Sequence, residues 1–312
     1  MITRNREIRL FQRPFGTPQR FSGATVWAKL LSGLLVLFIA GQTLAAEDAK
    51  SEKKTSPFLR ITHNEKNAPL ALETPIVRFV PTKGETSDLT VDLIAAVHIA
   101  EKDYYKNLNR EFAKYDVVLY ELIAPEDAPT PKQTDSAGNH PLTILQTSMQ
   151  ELLGLEYQLK GIDYTCQNMV RADMSPEQFA ESMRNRGESL MTMLARMLGY
   201  ALSEQKGPNN TDLLMALFSQ NRTIALRRVL ATEFENNEGA MAALGGPKGS
   251  TIIEGRNDVA LKELRKTIDS GKRKIAVFYG AAHMSHFQKR LQEDFGMKPT
   301  TTRWFVAWKL QP

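Results

Sequence analysis

The chain has 312 residues, 42% of them hydrophobic and 24% charged, an ordinary globular balance that excludes a wholly disordered protein. Its net charge of +5 is confined to the leader: residues 1–46 hold six of the 40 Lys and Arg (Arg4, Arg6, Arg9, Arg13, Arg20, Lys29) and only Glu7 of the 35 Asp and Glu, leaving 34 of each in 47–312. That neutral remainder offers no bulk electrostatic attraction to nucleic acid.

Residues 1–46 read as an export signal or an N-terminal anchor. A basic segment precedes the apolar run Leu30 to Ala40, and the small residues Thr43, Ala45 and Ala46 offer a cleavage site before Glu47. The run is shorter than the ~20 residues that a membrane-spanning helix needs. If it is retained, this segment is the expected membrane contact. Either way, the rest of the chain is expected outside the cytoplasm, in a periplasmic or extracellular location. Residues 47–57 are a charged linker, and 58–312 form one α/β domain.

Within that domain, Ile76 to Val80 and Leu89 to Val97 are strands, joined as a hairpin across Pro81-Thr82-Lys83-Gly84. A helix follows, with apolar spacing at Tyr105, Leu108 and Phe112, and then a strand from Val117 to Leu122. Residues 124–141, which include His140, are rich in Pro, Asp, Ser and Gly and form a long loop. The insert from about 142 to 272 is mostly helical. It begins with the stripe Leu142, Leu145, Met149, Leu152 and Leu153. Ser175-Pro176-Glu177-Gln178 is a helix start with a capping box. Met183, Leu190, Met191, Met193, Leu194, Met197 and Leu198 make a methionine-rich stripe, better read as core than as an adaptable pocket. Gly245 to Ser250 is a turn; it lacks the preceding strand and the ending of a phosphate-binding loop. The single cysteine, Cys166, excludes an internal disulfide and reads as a small buried hydrophobe.

Residues 274–310 then repeat the pattern of 90–123: an apolar strand ending in a small tripeptide and a histidine (His98, His283), an amphipathic helix, and a second strand. The predicted fold is therefore α/β, a central mixed β-sheet built from two β-α-β halves around a helical insert. Ligands of such sheets bind beyond the carboxyl ends of the strands, where both histidines are expected. Glu121, on a buried strand, is costly unless paired or metal-bound. That strand is expected beside the one ending at His98, since crossovers normally return next to their start. Two imidazoles and a carboxylate suit a divalent metal ion that activates water; Zn, Mn and Co are not distinguishable by these donors. Glu121 is counted both as a ligand and as a catalytic group, though no general base stands out. Arg256 and Asn257, at the start of the helix Val259 to Ile268, are candidates to fix a carboxylate, contact substrate or stabilise an oxyanion. His286, one turn after His283, fits an exposed helix residue better than a ligand, and His63 has no role.

These residues resemble the TraB/PrgY/GumN/TIKI family. Gly280-Ala281-Ala282-His283 matches its GxxH motif, and Ala95-Ala96-Val97-His98 matches the other copy with alanine in place of glycine. Glu121 in Tyr120-Glu121-Leu122 matches the strand glutamate. Arg256-Asn257 matches the Arg-Asn pair, with Gly255 where an acidic residue is common. The resemblance spans roughly residues 70–295. It implies an erythromycin-esterase/ChaN-like architecture and, by analogy with the TIKI members, a metal-dependent peptidase acting on a peptide or protein substrate. Ala95 is expected to add a Cβ beside the metal and to strain any backbone requiring positive φ, and Gly255 to remove a supporting carboxylate. The alternative is a non-catalytic protein that binds a peptide or haem-like ligand in the methionine-lined cleft.

Overall fold

The computed structural model describes residues 57–83, 88–132, 152–189, 191–193, 196, 210–236 and 249–312. The expected leader, the linker as far as residue 56, His140, the stripe from Leu142 to Met149, and Leu190, Leu194, Met197 and Leu198 lie outside these residues, as does Gly245 to Lys248.

The domain is mixed α/β. Its strands are β1 (Arg60–His63), β2 (Pro69–Pro81), β3 (Thr90–Ala96), β4 (Ile99–Ala100), β5 (Val117–Tyr120), β6 (Glu156–Tyr157), β7 (Met169–Arg171), β8 (Lys274–Gly280) and β9 (Met297–Lys309). The helices used below are α1 (Lys102–Phe112), α2 (Gln158–Gly161), α3 (Pro176–Arg186), α4 (Asn210–Leu217), α5 (Arg222–Asn236), α6 (Arg256–Asp269) and α7 (Met284–Phe295). The main sheet runs β1-β2-β3-β8-β5-β7, with β9 on the other edge of β2. Strands β3, β8, β5 and β7 are parallel; β2 is antiparallel to β1, β3 and β9.

The expected hairpin is the β2–β3 pair, with Ile76 opposite Ile94 and Phe79 opposite Val91. Strand β5, however, does not lie beside β3: β8 is inserted between them, pairing Ala96 with Gly280 on one side and Val117 with Ile275 on the other. The first crossover therefore skips one strand. Strand β9 lies antiparallel to β2, away from β8. The two halves thus interleave, and this carries the β8 histidine into the space between β3 and β5.

The parallel strands are buried on both faces, which explains their continuous apolar runs. On one face Ile94, Ala96, Ala276, Phe278, Val118 and Tyr120 pack with Tyr104, Tyr105, Leu108 and Phe112 of α1 and Leu226 and Leu230 of α5. On the other, Leu93, Ala95, Val277, Tyr279 and Leu119 pack with Leu261 and Leu264 of α6 and Phe287 and Leu291 of α7. Each fully buried side chain of this size contributes about 1.5–3 kcal/mol.

The insert differs from its mostly helical expectation. It adds β7 as a parallel edge strand and β6 as a partner for β4. Segments of two and three residues are too short to display a period. Helix α3 starts as expected: the Gln178 N–H donates to Ser175 Oγ (3.2 Å), the Ser175 N–H donates to Gln178 Oε1 (2.9 Å), and Pro176 opens the helix. Met183 and Met193 join Met174, Ile123, Phe179, Ile252 and Ile253 in a third core cluster, while Met191 is exposed. Cys166 is exposed, contrary to its expected burial. Burial and the neighbouring Asp163 raise its pKa, so it is not an activated thiolate. Among the described residues no helix is long and apolar enough to cross a membrane.

Candidate functional site at the carboxyl ends of β3, β5 and β8

Glu121 directly follows β5, His98 lies just past β3, and His283 closes a 3-10 turn, Ala281–His283, that extends β8. All three approach Gly280. A Cβ built there would lie 3.4 Å from Glu121 Oε2, 3.8 Å from His98 Nε2 and 3.8 Å from His283 Cδ2. Gly280 has φ −53° and a Cβ there would make ordinary van der Waals contacts, so neither backbone strain nor crowding forces glycine; the position matters because it lies between the three groups.

The backbone of His98 is pinned on both sides although its side chain is exposed. Tyr105 donates to the Val97 carbonyl (3.0 Å), and the Gln158 N–H donates to the His98 carbonyl (2.9 Å). Gln158 Oε1 lies 3.2 Å from His98 Nδ1, and Gln158 Nε2 donates to Tyr164 (2.9 Å). With the amide so oriented, the His98 Nδ1–H donates to Gln158 Oε1.

His283 is 4% exposed, and Asn257 is wholly buried. The amide nitrogen of Asn257 donates to the His283 carbonyl (3.0 Å) and to Nδ1 of His286 (3.1 Å). A carbonyl can only accept, so this fixes which way the amide points, and Oδ1 must face His283 Nδ1 (2.6 Å). His283 is therefore also protonated on Nδ1, with its Nε2 lone pair directed at Glu121 Oε1, 3.6 Å away. Burial pushes the His283 pKa down to about 3, so the ring is neutral. His286 is half-buried and held by Asn257, neither an exposed residue nor a member of the trio.

Glu121 accepts from the Gly280 N–H (2.7 Å) and pairs with Arg256 (2.8 Å). Burial is the largest influence and raises its pKa, but Arg256, His283, His98 and the Gly280 N–H together outweigh it and hold the carboxyl well below the usual range. A π-helical turn, Thr251–Gly255, leads into α6 and delivers Arg256 to the interior. Its guanidinium is 3% exposed and forks onto Asp173, with Nε to Oδ1 at 3.0 Å and an Nη to Oδ2 at 2.5 Å. Burial works against the Arg256 cation, but the two carboxylates reverse it and raise its pKa. Burial lifts the pKa of Asp173 and Arg256 opposes the shift.

The arrangement corrects four expectations. Arg256 grips internal carboxylates and presents no face to a substrate. Asn257 orients His283 and is equally inaccessible. Ala95 points into the α6–α7 face, opposite the side of Gly280, and the sole described non-glycine residue with positive φ is Asn67. A side chain at 255 would crowd the ends of Ser182 and Met174, with its Cβ 3.1 Å from Ser182 Oγ and 3.3 Å from Met174 Cε, so both would have to shift by a few tenths of an ångström. Asp173 supplies the supporting carboxylate instead. Its one sequence signal is its place between β7 and the Ser175 cap. Gln158, the partner of His98, carried no signal at all.

Among the described residues no group of three or more His, Cys, Asp and Glu is disposed as a ready metal site. His98, Glu121 and His283 surround a common point, but both Glu121 oxygens are already engaged by Arg256 and Gly280. No protein-family model matches the chain, and no curated protein or solved structure is significantly similar to it.

Proposed function

We propose that this chain is an exported metal-dependent hydrolase acting on a peptide bond, with His98, Glu121 and His283 as the ligands. The reading combines the resemblance to the TraB/PrgY/GumN/TIKI group and its ChaN-like architecture with the chemistry of the donor set. The observation that carries it is the charge and lone-pair balance around Gly280. Glu121 and Asp173 share the single buried cation of Arg256, and neutral His283 adds no positive charge to them. Glu121 Oε1 and His283 Nε2 both present lone pairs across 3.6 Å. Donors ~2.1 Å from a tetrahedral ion stand about 3.4 Å apart, so the separation suits a shared cation. Each imidazole is held from behind by a carboxamide oxygen accepting at Nδ1, and a hydrogen-bond acceptor at the other ring nitrogen is how a metal-ligating histidine is usually oriented.

A divalent ion of the Zn, Mn or Co class would supply Lewis acidity toward a substrate carbonyl. The chain's own residues divide the remaining work. Gln158 and Asn257 hold the two Nε2 atoms toward one point. Arg256 keeps Glu121 ionised, and Asp173 keeps Arg256 in place. The exposed ring of His98 marks the side from which substrate enters.

One observation favours the alternative, a binding protein for a peptide or haem-like ligand: Arg256 and Asn257 are buried and committed, leaving neither to stabilise an oxyanion. Metal analysis of the purified protein, then peptidase assays with and without chelator, separates the two. Bound metal with chelator-sensitive cleavage supports the hydrolase; ligand binding without turnover supports the alternative.

A further inference from the structure

At the opposite end of the parallel strands a second site has no part in the chemistry around Gly280. A cavity of about 340 Å³ is lined by Arg78, Lys114, Lys274 and Arg303, with Glu111, Thr90 and Tyr115. Thr90 and Lys274 are the first residues of β3 and β8 and lie side by side in the sheet. Along β3 the cavity is some six residues, roughly 20 Å, from the His98 end.

Its charge balance is uneven. The two oxygens of Glu111 are each taken, by Lys114 (2.6 Å) and by Arg303 (2.8 Å). Arg78 is held in a fork by Asp92 (2.9 Å to each oxygen), and Asp92 also accepts from Tyr115 (2.7 Å). Asp92 is 1% exposed and forms the floor beneath Arg78. Asp116, behind Lys274, accepts the backbone N–H groups of Arg273 and Lys274 (2.9 and 3.0 Å) and is not part of the lining. Four cations thus face one cavity against Glu111 and the buried Asp92, an excess of two positive charges. The side chains of Arg78 and Arg303 are fixed by these pairs yet 44% and 45% exposed, and each guanidinium has more N–H donors than its pair uses. The Thr90 hydroxyl adds a further polar group, and the Tyr115 ring an apolar wall.

We infer that this cavity binds a small organic dianion, a phosphate monoester, with the phosphate among Arg78, Arg303, Lys114 and Lys274. Paired guanidiniums match phosphate geometry, and a dianion balances the excess charge. The volume exceeds what inorganic phosphate needs and lies at the small end of the roughly 300–1,000 Å³ typical of small-molecule sites. Glu111 acts as the internal competitor that holds two of the cations in position until the ligand arrives.

The test is calorimetric titration of the purified, metal-stripped protein with phenyl phosphate and with inorganic phosphate. Stripping removes any phosphate bound through a metal at the distant site, so the outcome does not depend on the hydrolase reading. Saturable one-to-one binding is expected, tighter for phenyl phosphate. Lys274→Gln removes one exposed charge and should weaken binding roughly fivefold. Glu111→Gln removes the competing anion and should tighten it by a similar factor. Circular dichroism on both variants establishes that they are folded. Absence of saturable binding at millimolar ligand overturns the inference. So does binding that neither variant changes, and so does weaker binding in Glu111→Gln than in wild type.

Discussion

Replacing Arg256 by Met tests the electrostatic account of the site most directly. Arg256 supplies two hydrogen bonds to Asp173 and an ion pair to Glu121 at 3% exposure. Without it, two buried carboxylates share no cation. Breaking a buried pair by removing one partner costs about 3–5 kcal/mol, a large fraction of the roughly 5–15 kcal/mol that stabilises a typical domain. For a domain of this size the melting temperature should fall by roughly 6–20 °C at pH 7. The loss should also depend on pH with a definite sign. In the wild type Glu121 titrates well below the usual carboxylate range, so its contribution is present above the unfolded pKa of about 4.3 and fades as pH falls. In Arg256→Met the two carboxyls keep backbone hydrogen bonds from Gly280 and Met174 but lose their cation, so burial, the largest influence on each, should lift their folded pKa values above the unfolded ones. The variant then folds best with both protonated and loses stability as pH rises. The gap to wild type should therefore widen from pH 4 to pH 7. Adding Asp173→Leu should restore part of the loss, because a buried ion pair exchanged for apolar side chains is often neutral. Thermal melts followed by circular dichroism at both pH values suffice. A melting temperature within about 2 °C of wild type at pH 7, or a gap independent of pH, refutes the reasoning.

Three further substitutions probe neighbouring groups. His283 has its folded pKa pushed down to about 3 against about 6.5 unfolded, so its contribution is complete above pH 6.5 and lost as pH falls toward 3. His283→Gln should therefore lose less stability than wild type between pH 7 and pH 4.5, by up to about 1.4 kcal/mol per pH unit, read from denaturant midpoints. Asn257→Ala should cost about 1–3 kcal/mol through the buried groups it leaves unpaired, and should lower affinity for added Zn by roughly 10–100-fold in a competition titration. Ser175→Ala removes the α3 cap and should cost about 1 kcal/mol in a melt while leaving Zn affinity unchanged. A drop in Zn affinity there would mean the cap reaches the site through Asp173, two residues before it, and its pair with Arg256.

The local elements were legible because their signals are local. Continuous apolar runs announced β3, β5 and β8, the spacing of Tyr105, Leu108 and Phe112 announced α1, and Ser175-Pro176-Glu177-Gln178 announced α3, since each pattern acts over a few residues of chain. The repeat also marked where His98 and His283 end their strands. Strand order was a different matter. The first crossover skips a position that β8 fills, and nothing within 90–123 encodes a strand that arrives some 150 residues later. Edge strand β7 escaped notice because three residues show no period.

The sequence by itself determined the α/β class, the capped start of α3 and the residue types able to hold a cation. Only the tertiary structure decided what those residues do. Arg256 looked like a group for substrate and is instead committed to Asp173 and Glu121, because the π-helical turn before it aims the side chain inward. Gln158 and Asn257 set the tautomers of the two histidines from 60 and 26 residues away. A hydrogen bond between such distant positions is specified by packing across the whole sheet, and no short stretch of sequence contains it.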